Sequence, residues 1–431
     1  MTAWGAVLEA ARPERRGRVT RVRGLGVEVR GLTGAVGDLV ELAEGVEAEV
    51  VASGPNGLSC MPLSSTAGLT VGMPVRGLGG PLRVPVGAGL LGRVLDGLGR
   101  PIDGRGPLNC ARVSLDHAPP SVLGRDRIDT QLPLGVRVLD TMVTVGRGQR
   151  VGLFAGSGVG KSSLLSMIAR GTEADATVIA LVGERGREVR EFLEDDLGPE
   201  GLARSVVVVS TSDQPAMARI RAAYTATRIA EAFRDDGAHA ILMMDSLTRV
   251  AMAQREIGLS AGEPPATRGY PPSTFSILAG LLERAGTGSG GSLTGIYTVL
   301  VDGDDHNEPI ADAVRSILDG HVVLDRALAL MGHHPAVDVL ASVSRVAGKI
   351  IAPDQRAQAS ALRAVLAARA SATDLIDIGA YQSGANPRVD AALAHAQAIS
   401  DFLTQPLDQT SAADESWQRL TRLVTDLGGA R

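Results

Sequence analysis

The stretch Arg150-Val-Gly-Leu-Phe-Ala155-Gly156-Ser-Gly-Val-Gly-Lys161-Ser162 predicts a β-strand that ends in a glycine-rich loop. The residues that follow, Ser163-Leu-Leu-Ser-Met-Ile-Ala-Arg170, carry apolar side chains at helical spacing. A strand, a glycine loop and a helix in this order are the context in which such a loop binds phosphate. We therefore expect backbone N–H groups of the loop and of the helix N-terminus to hold the phosphates of a nucleotide.

The lysine of this loop is rare in its own sequence, because Lys161 and Lys349 are the only two lysines among 43 basic residues. An ammonium is a compact point charge, whereas a guanidinium is a wide planar fork. We expect Lys161 to reach the β- and γ-phosphate oxygens and Ser162 to bind Mg²⁺. The alternative is a glycine-rich turn that binds nothing, and Ala155 departs from the strict motif, which has glycine there. The candidate nucleotide-binding residues of the loop are Gly156, Ser157, Gly158, Val159, Gly160, Lys161, Ser162 and Ser163.

Composition indicates a large globular enzyme of a reducing compartment. A chain of 431 residues has room for about three domains. The formal net charge of −5 argues against a general nucleic-acid-binding protein. Cys60 and Cys110 have no metal-site spacing and are expected to be free thiols. The N-terminus lacks a signal-peptide pattern, and no run of about 18 apolar residues occurs, so we expect a cytoplasmic protein with no membrane span.

Local composition and the spacing of apolar residues predict four parts of the chain. Residues 1–16 are either a brief amphipathic helix or a frayed terminus. Residues 17–82 contain short alternating runs with glycine turns, which predicts a small barrel or sandwich. In residues 83–350, apolar strands alternate with helical stretches, which is typical of a parallel sheet flanked by helices. Residues 351–431 are rich in alanine and predict a helical C-terminal domain.

Two carboxylates follow apolar strands of the predicted sheet. Asp245 ends the run Ala240-Ile-Leu-Met-Met-Asp245, where a Mg²⁺-organising acid is expected beside a phosphate loop. Glu184 follows Thr177-Val-Ile-Ala-Leu-Val182 and can orient or deprotonate a water that faces the γ-phosphate. The alternative for Glu184 is a salt-bridge cluster at the start of a helix, formed with the charged residues that follow it.

Two further polar segments carry weaker signals. The loop Asp302-Gly-Asp304-Asp305-His306-Asn307-Glu308 follows an apolar strand, so it either senses the γ-phosphate or is a solvated turn. Arg345 comes after what the sequence predicts to be a small polar turn, Ser342-Val-Ser344. By itself, this arginine is an ordinary surface charge.

Longer motifs resemble those of a known family. Pro335-Ala-Val-Asp-Val-Leu-Ala-Ser-Val-Ser344 resembles the signature of the rotary-type ATPases, the group that contains the ATP synthase α and β subunits. The stretches Phe154–Ser162, Gln254–Leu259, Gly262–Ser273 and 304–320 most resemble the flagellar-type protein-export ATPases. The resemblance covers nearly the whole chain from about residue 17, and Ala155 is the residue expected in that family.

The resemblance implies a multidomain α/β protein: a small N-terminal β-barrel, a RecA-like core with a mainly parallel sheet, and a helical C-terminal domain. It also implies a homohexameric ring at the membrane export apparatus. The implied partners are a peripheral-stalk regulator, a central coiled-coil stalk protein, a membrane export gate and chaperone–substrate complexes. Because residues 1–16 are shorter than the usual docking segment, docking of the peripheral-stalk partner is open.

The resemblance also assigns site residues. Glu184 is the implied catalytic carboxylate, Arg185 supports the γ-phosphate region, and Arg345 is an arginine finger that reaches a neighbour's nucleotide. His334 stands where a tyrosine commonly stacks on adenine, and Leu407 where an aromatic residue is often found.

The sequence therefore predicts a Mg²⁺-dependent ATPase that energises flagellar protein export. The same enzyme in a virulence-type secretion system is the main alternative. A non-catalytic nucleotide-binding ring subunit is disfavoured, because such subunits lack the carboxylate found here at Glu184. A helicase ring is disfavoured by the acidic balance of the chain.

Overall fold

A computed structural model describes residues 15–43, 45–301 and 308–428 of the chain. The predicted N-terminal segment 1–16, except for its last two residues, and the loop residues 302–307 therefore lie outside the described part. Within it, no helix is long and apolar enough to cross a membrane.

The first six strands form a closed barrel in the order β1-β2-β5-β4-β3-β6. They are β1 (Arg16–Arg23), β2 (Gly26–Arg30), β3 (Asp38–Leu42), β4 (Glu47–Gly54), β5 (Gly57–Pro62) and β6 (Pro74–Pro81). Val19, Val29 and Leu42 are among the residues that fill its interior. The alternation of buried and exposed residues was readable from the sequence, whereas closure, which decides between barrel and sandwich, depends on the pairing of β1 with β6.

The chain continues with β7 (Arg83–Val86), β8 (Val94–Asp96) and β9 (Ala111–Ser114), of which β7 and β9 pair with each other. Strand β8 belongs to the central sheet. The other strands of that sheet are β10 (Arg150–Ala155), β11 (Ala176–Val182), β12 (Ser205–Ser210), β13 (His239–Asp245), β14 (Gly286–Thr287), β15 (Ser292–Leu300), β16 (Gly320–Leu324) and β17 (Val337–Ser344). The sheet has nine strands in the order β17-β16-β10-β15-β13-β11-β12-β8, with β14 attached to β15. All neighbours pair in parallel except β14 with β15 and β16 with β17.

Helices cover both faces of this sheet. The helices of this part of the chain are α1 (Arg137–Met142), α2 (Lys161–Gly171), α3 (Gly186–Glu191), α4 (Gly198–Ala203), α5 (Ala216–Asp235), α6 (Leu247–Ser260), α7 (Pro272–Leu282), α8 (Pro309–Ile317), α9 (Arg326–Leu330) and α10 (Ala347–Ile350). A π-helical segment, Phe192–Leu197, joins α3 to α4. Leu165 and Ile168 of α2 belong to the core on one face, and Ala226 and Ile229 of α5 to the core on the other.

The C-terminal part is helical: α11 (Pro353–Ser371), α12 (Thr373–Asp377), α13 (Pro387–Ala394), α14 (Ala396–Leu403) and α15 (Ala413–Asp426). Leu362, Phe402 and Trp417 share one apolar core with the α2 face of the sheet. The guanidinium of Arg137 donates to the carbonyl oxygen of Phe402 over 2.7 Å. The barrel, parallel sheet and C-terminal helices confirm the predicted fold class.

One local prediction was wrong: the segment before Arg345 is not a turn but the last part of strand β17. Strand β17 contains a bulge between Asp338 and Val343, and in it the Asp338 carboxylate accepts hydrogen bonds from the N–H groups of Leu340 and Ala341. The Ser342 hydroxyl accepts from the Val323 N–H over 2.9 Å. These side chains replace part of the ladder at the register shift between β16 and β17, so polar residues occur within a strand.

Candidate active site

The glycine loop connects β10 to α2 as the sequence predicted. Gly158 and Gly160 have φ of +76° and +90°, conformations that residues with a Cβ rarely adopt. The side chain of Val159 is buried in the core and anchors the loop. Lys161, Ser162 and Ser163 begin α2, so the N–H groups of its first turn have no partner within the helix. Free N–H groups at a helix N-terminus form an anion-binding position.

The parallel sheet brings three predicted residues together. Both β11 and β13 end at the same edge of the sheet as β10, and Glu184 follows β11 while Asp245 ends β13. The Lys161 Nζ atom lies 2.6 Å from Asp245 Oδ1 and 3.6 Å from Glu184 Oε1. The second distance is too long for a hydrogen bond, and Glu184 Oε1 is buried without a hydrogen-bond partner among the described residues.

The Lys161 ammonium therefore faces two carboxylates, and its charge neutralises that of Asp245 more than that of Glu184. Burial raises the pKa of Glu184 to about 7, and the Asp245 carboxylate acts in the same direction, against the smaller lowering effect of Lys161. For Lys161, burial opposes the charge, but Asp245 and Glu184 outweigh it and raise its pKa. A general base works best with a pKa near the working pH, and burial shifts the pKa of Glu184 in that direction.

A second predicted group lines an apolar cavity beside the loop. His334, Leu407, Leu164 and Met167 contribute to a cavity of about 420 Å³ next to Gly160. The N–H of Gln405 donates to the carbonyl oxygen of His334 over 2.9 Å, which ties the two wall segments together. Its size and apolar walls suit a planar base, with the His334 imidazole in place of a larger aromatic ring.

Arg345 lies at the end of the sheet opposite the one that carries the glycine loop, Glu184 and Asp245. Ser344, the last residue of β17, pairs with Gly320 at the start of β16, whereas Leu324 at the end of β16 pairs with Ala155, just before the glycine loop. Gly320 and Leu324 are four residue steps apart along β16, a distance of about 13 Å at 3.3 Å per residue. The exposed guanidinium of Arg345 donates to the carbonyl oxygen of Arg315 over 3.4 Å. Arg345 therefore does not reach the phosphate loop of its own chain.

Arg185 is not brought to the phosphate loop in this structure. Its side chain is 79% exposed, and Nη1 lies 3.5 Å from Glu188 Oε1. Arg187 and Arg190 form similar exposed pairs with Glu191 and Glu194. Both interpretations of this segment therefore hold in part, since the later charges form helix-surface ion pairs while Glu184 faces Lys161. The role of Arg185 stays a prediction.

Two residues of this site were not expected from the sequence. Arg249, in the first turn of α6, packs so closely against Gly183 that a Cβ there would lie 2.8 Å from the Arg249 Cβ. Its Nε atom is buried without a hydrogen-bond partner among the described residues. Thr298 of β15 donates a hydrogen bond to Asp245. The spacing Asp245-Ser-Leu-Thr-Arg249 was a usable signal for the arginine, whereas a threonine inside an apolar strand gave none.

Two family models match the chain. The nucleotide-binding domain of the ATP synthase alpha/beta family matches residues 135–344. The T3SS EscN ATPase C-terminal domain matches residues 351–422. The first match contains the glycine loop, Glu184 and Asp245, and the second covers the C-terminal helices.

Individual relatives are similar over nearly their whole length. The flagellum-specific ATP synthase of Bacillus subtilis (strain 168) is 52% identical over 418 residues, which are 95% of this chain and 95% of the relative. The type 3 secretion system ATPase of Xanthomonas euvesicatoria is 49% identical over 418 residues, with 96% and 95% covered. Among solved structures, the ATPase EscN in complex with its central stalk EscO, from the enteropathogenic E. coli type III secretion system, matches with a TM-score of 0.89 and 42% identity. That match covers 95% of this chain and 100% of the EscN chain.

Proposed function

The chain belongs to the ATP synthase alpha/beta family, among the flagellum-specific and type 3 secretion ATPases, and on this basis we propose that it hydrolyses MgATP to energise flagellar protein export. The observation that carries the proposal is the position of Glu184. The Glu184 carboxylate, whose Oε1 atom is buried, lies 3.6 Å from the Nζ atom of the phosphate-loop lysine, where it can orient a water that attacks the γ-phosphate. A ring subunit that only binds nucleotide does not require this carboxylate.

The side chains present fit a Mg²⁺–nucleotide complex. Mg²⁺ prefers one or two protein oxygens together with substrate phosphates to an all-protein cage. The Ser162 hydroxyl in the first turn of α2 and the Asp245 carboxylate are oxygens of this kind. Among the described residues there is no group of three or more His, Cys, Asp or Glu that could hold a metal by itself. When bound, Mg²⁺ neutralises charge on the β- and γ-phosphate oxygens.

Each residue then has a distinct task. The loop N–H groups bind the phosphates, and Lys161 moves from its ion pair with Asp245 to the phosphate oxygens. The cavity of His334 and Leu407 holds the base. Glu184 accepts a hydrogen bond or the proton from the attacking water. Arg249 packs against Gly183, the residue before Glu184, and so fixes the backbone that carries this carboxylate.

Phosphoryl transfer is also accelerated by a positive side chain that neutralises charge on the transferred γ-phosphoryl group, and a neighbouring subunit can supply it. Arg345 lies at the opposite sheet edge and is exposed, so a second copy of the chain can present it to this site. We assign it as an arginine finger supplied in trans within a homohexamer. The solved structures of assembled EscN are of a relative whose fold this chain shares.

We further propose the partners implied by this function. They are a central coiled-coil stalk protein, like the EscO that EscN binds, a peripheral-stalk regulator, a membrane export gate and chaperone–substrate complexes. The protein acts at the cytoplasmic side of the export apparatus as a peripheral component, without binding nucleic acid. Relatives of both flagellar and virulence-type systems are similar to the chain, and the segment Arg268-Gly-Tyr-Pro-Pro-Ser273 favours the flagellar system.

The proposed function predicts an ATPase that depends on assembly. The steady-state rate of ATP hydrolysis per subunit should rise with protein concentration as rings form, because each site needs a neighbour. Chelation of Mg²⁺ with EDTA should abolish hydrolysis at every concentration. A purified chain that hydrolyses no ATP at concentrations where it is hexameric would contradict the proposal.

The lysine pair offers a matched test of the phosphate site. In Lys161→Arg the positive charge remains, but the wide guanidinium does not fit the tight loop, so we expect the Kd for ATP to rise about tenfold or more, which corresponds to about 1.4 kcal/mol. Lys349→Arg, on the exposed helix α10, should leave the Kd unchanged. Binding of a fluorescent ATP analogue measures both values. Equal effects of the two substitutions would show that Lys161 does not bind the phosphates.

A further inference from the structure

A threonine in the middle of the sheet touches the acid that is assigned to the metal. Strand β15 lies between β10, which carries the phosphate loop, and β13, which ends in Asp245. Met244 pairs with Tyr297 in the parallel register, so Thr298 stands beside Asp245. The Thr298 side chain is fully buried, and its Oγ1 lies 2.8 Å from Asp245 Oδ1.

The hydroxyl has a choice of acceptor. Thr298 Oγ1 also lies 3.2 Å from the carbonyl oxygen of Met244, but a hydroxyl carries a single hydrogen to donate. Hydrogen bonds to an ionised acceptor are shorter and about twice as strong as those between neutral groups. The shorter distance and the charge of the carboxylate both favour donation to Asp245.

The same carboxylate oxygen also holds the lysine. Asp245 Oδ1 accepts from Lys161 Nζ over 2.6 Å as well as from Thr298. If Lys161 moves to the phosphates of a bound nucleotide, this ion pair is lost. The hydrogen bond from Thr298 remains, because its donor is fixed within a buried strand. The orientation of the Asp245 carboxylate then depends on the threonine.

We propose that Thr298 is a positioning residue that keeps the Asp245 carboxylate oriented for Mg²⁺ once Lys161 has turned to the phosphates. The inference rests on the proposed function, since it takes Asp245 to be an acid that organises Mg²⁺. It assigns to a hydroxyl inside the sheet a task that a purely structural threonine would not have.

The test separates metal-dependent from metal-free binding of nucleotide. Thr298→Val replaces the hydroxyl by a methyl group of similar size. Binding of a fluorescent ATP analogue in EDTA should match that of the wild type. The Mg²⁺ concentration that half-saturates the tighter complex should rise about tenfold, the lower end of the 10–100-fold cost of removing a partner of a metal ligand. Thr298→Ser retains the hydroxyl and should restore the wild-type value.

Thr177 provides the matched control. It is buried in β11 of the same sheet, and its Oγ1 has no hydrogen-bond partner among the described residues. Thr177→Val should therefore leave the Mg²⁺ dependence unchanged. Thr298→Ala, which lacks the hydroxyl and adds no methyl group, should repeat the loss if the valine variant folds poorly, and thermal unfolding in EDTA reports folding.

The outcomes distinguish the role of Thr298 from the proposed function. If wild-type binding depends on Mg²⁺ and Thr298→Val shows the same dependence, the positioning role is wrong while the proposed function stands. Failure of Thr298→Ser to restore the wild-type value would also overturn the role, since volume rather than the hydroxyl would then matter. If wild-type protein binds ATP equally well with and without Mg²⁺, the positioning role is wrong. The proposed function fails only if assembled wild-type protein hydrolyses no ATP or hydrolyses it equally well in EDTA.

Discussion

Purified Glu184→Gln protein is expected to bind ATP with nearly the wild-type affinity and to hydrolyse it about 10²–10⁴-fold more slowly. The amide keeps the shape of the side chain but cannot take a proton from water. Binding should survive because the phosphates are held by the loop N–H groups and by Lys161. Steady-state hydrolysis and binding of a fluorescent ATP analogue, measured on the same preparation, give the two quantities.

Glu191→Gln is the control for this change. Glu191 belongs to the helix that follows Glu184, but its side chain is 52% exposed and pairs with Arg187. Loss of an exposed ion pair costs little, so this variant should hydrolyse ATP at close to the parent rate. If Glu184→Gln does the same, Glu184 does not position or activate the attacking water.

Arg345→Ala is expected to have a still larger effect. A finger arginine that neutralises charge on the transferring phosphoryl group accelerates related reactions about 10³–10⁵-fold. Nucleotide binding should change little, because the finger acts mainly on charge that develops in the transition state, whereas the phosphates of bound ATP are held by the loop N–H groups and by Lys161. Single-turnover hydrolysis at concentrations where rings are formed measures the loss.

The exposed residue Arg369 on α11 serves as the control, and Arg369→Ala should retain hydrolysis. Sedimentation of both variants shows whether rings still form. An Arg345→Ala protein that assembles and retains wild-type hydrolysis would exclude the finger role. A variant that no longer assembles would instead place Arg345 in the interface.

Much of the fold could be predicted because it depends on local periodicity. Alternating residues before position 82 and apolar strands between helical stretches after it are properties of short windows. The convergence of Lys161, Glu184 and Asp245 followed from one rule, that parallel strands end at the same edge of a sheet. The domain limits at 82/83 and 350/351 remain predictions of the sequence.

What could not be predicted depends on contacts between distant segments. Thr298 reads as part of an apolar strand, and only the register of β15 against β13 places it beside Asp245. Arg345 reads as a surface charge after a turn, whereas the antiparallel pairing of β17 with β16 carries it away from its own phosphate loop. Both positions depend on strand pairing between distant residues, Met244 with Tyr297 for Thr298 and Gly320 with Ser344 for Arg345.

The central claim is that identical subunits complete one another's active sites, and mixing two inactive variants tests it most directly. In a ring that contains Arg345→Ala and Glu184→Gln subunits, some sites combine the intact Glu184 of the first with the intact Arg345 of the second. We predict that hydrolysis, negligible for either variant alone, reappears in the mixture once mixed rings form. If mixed rings are shown by crosslinking and the mixture stays inactive, the arginine does not act across the interface.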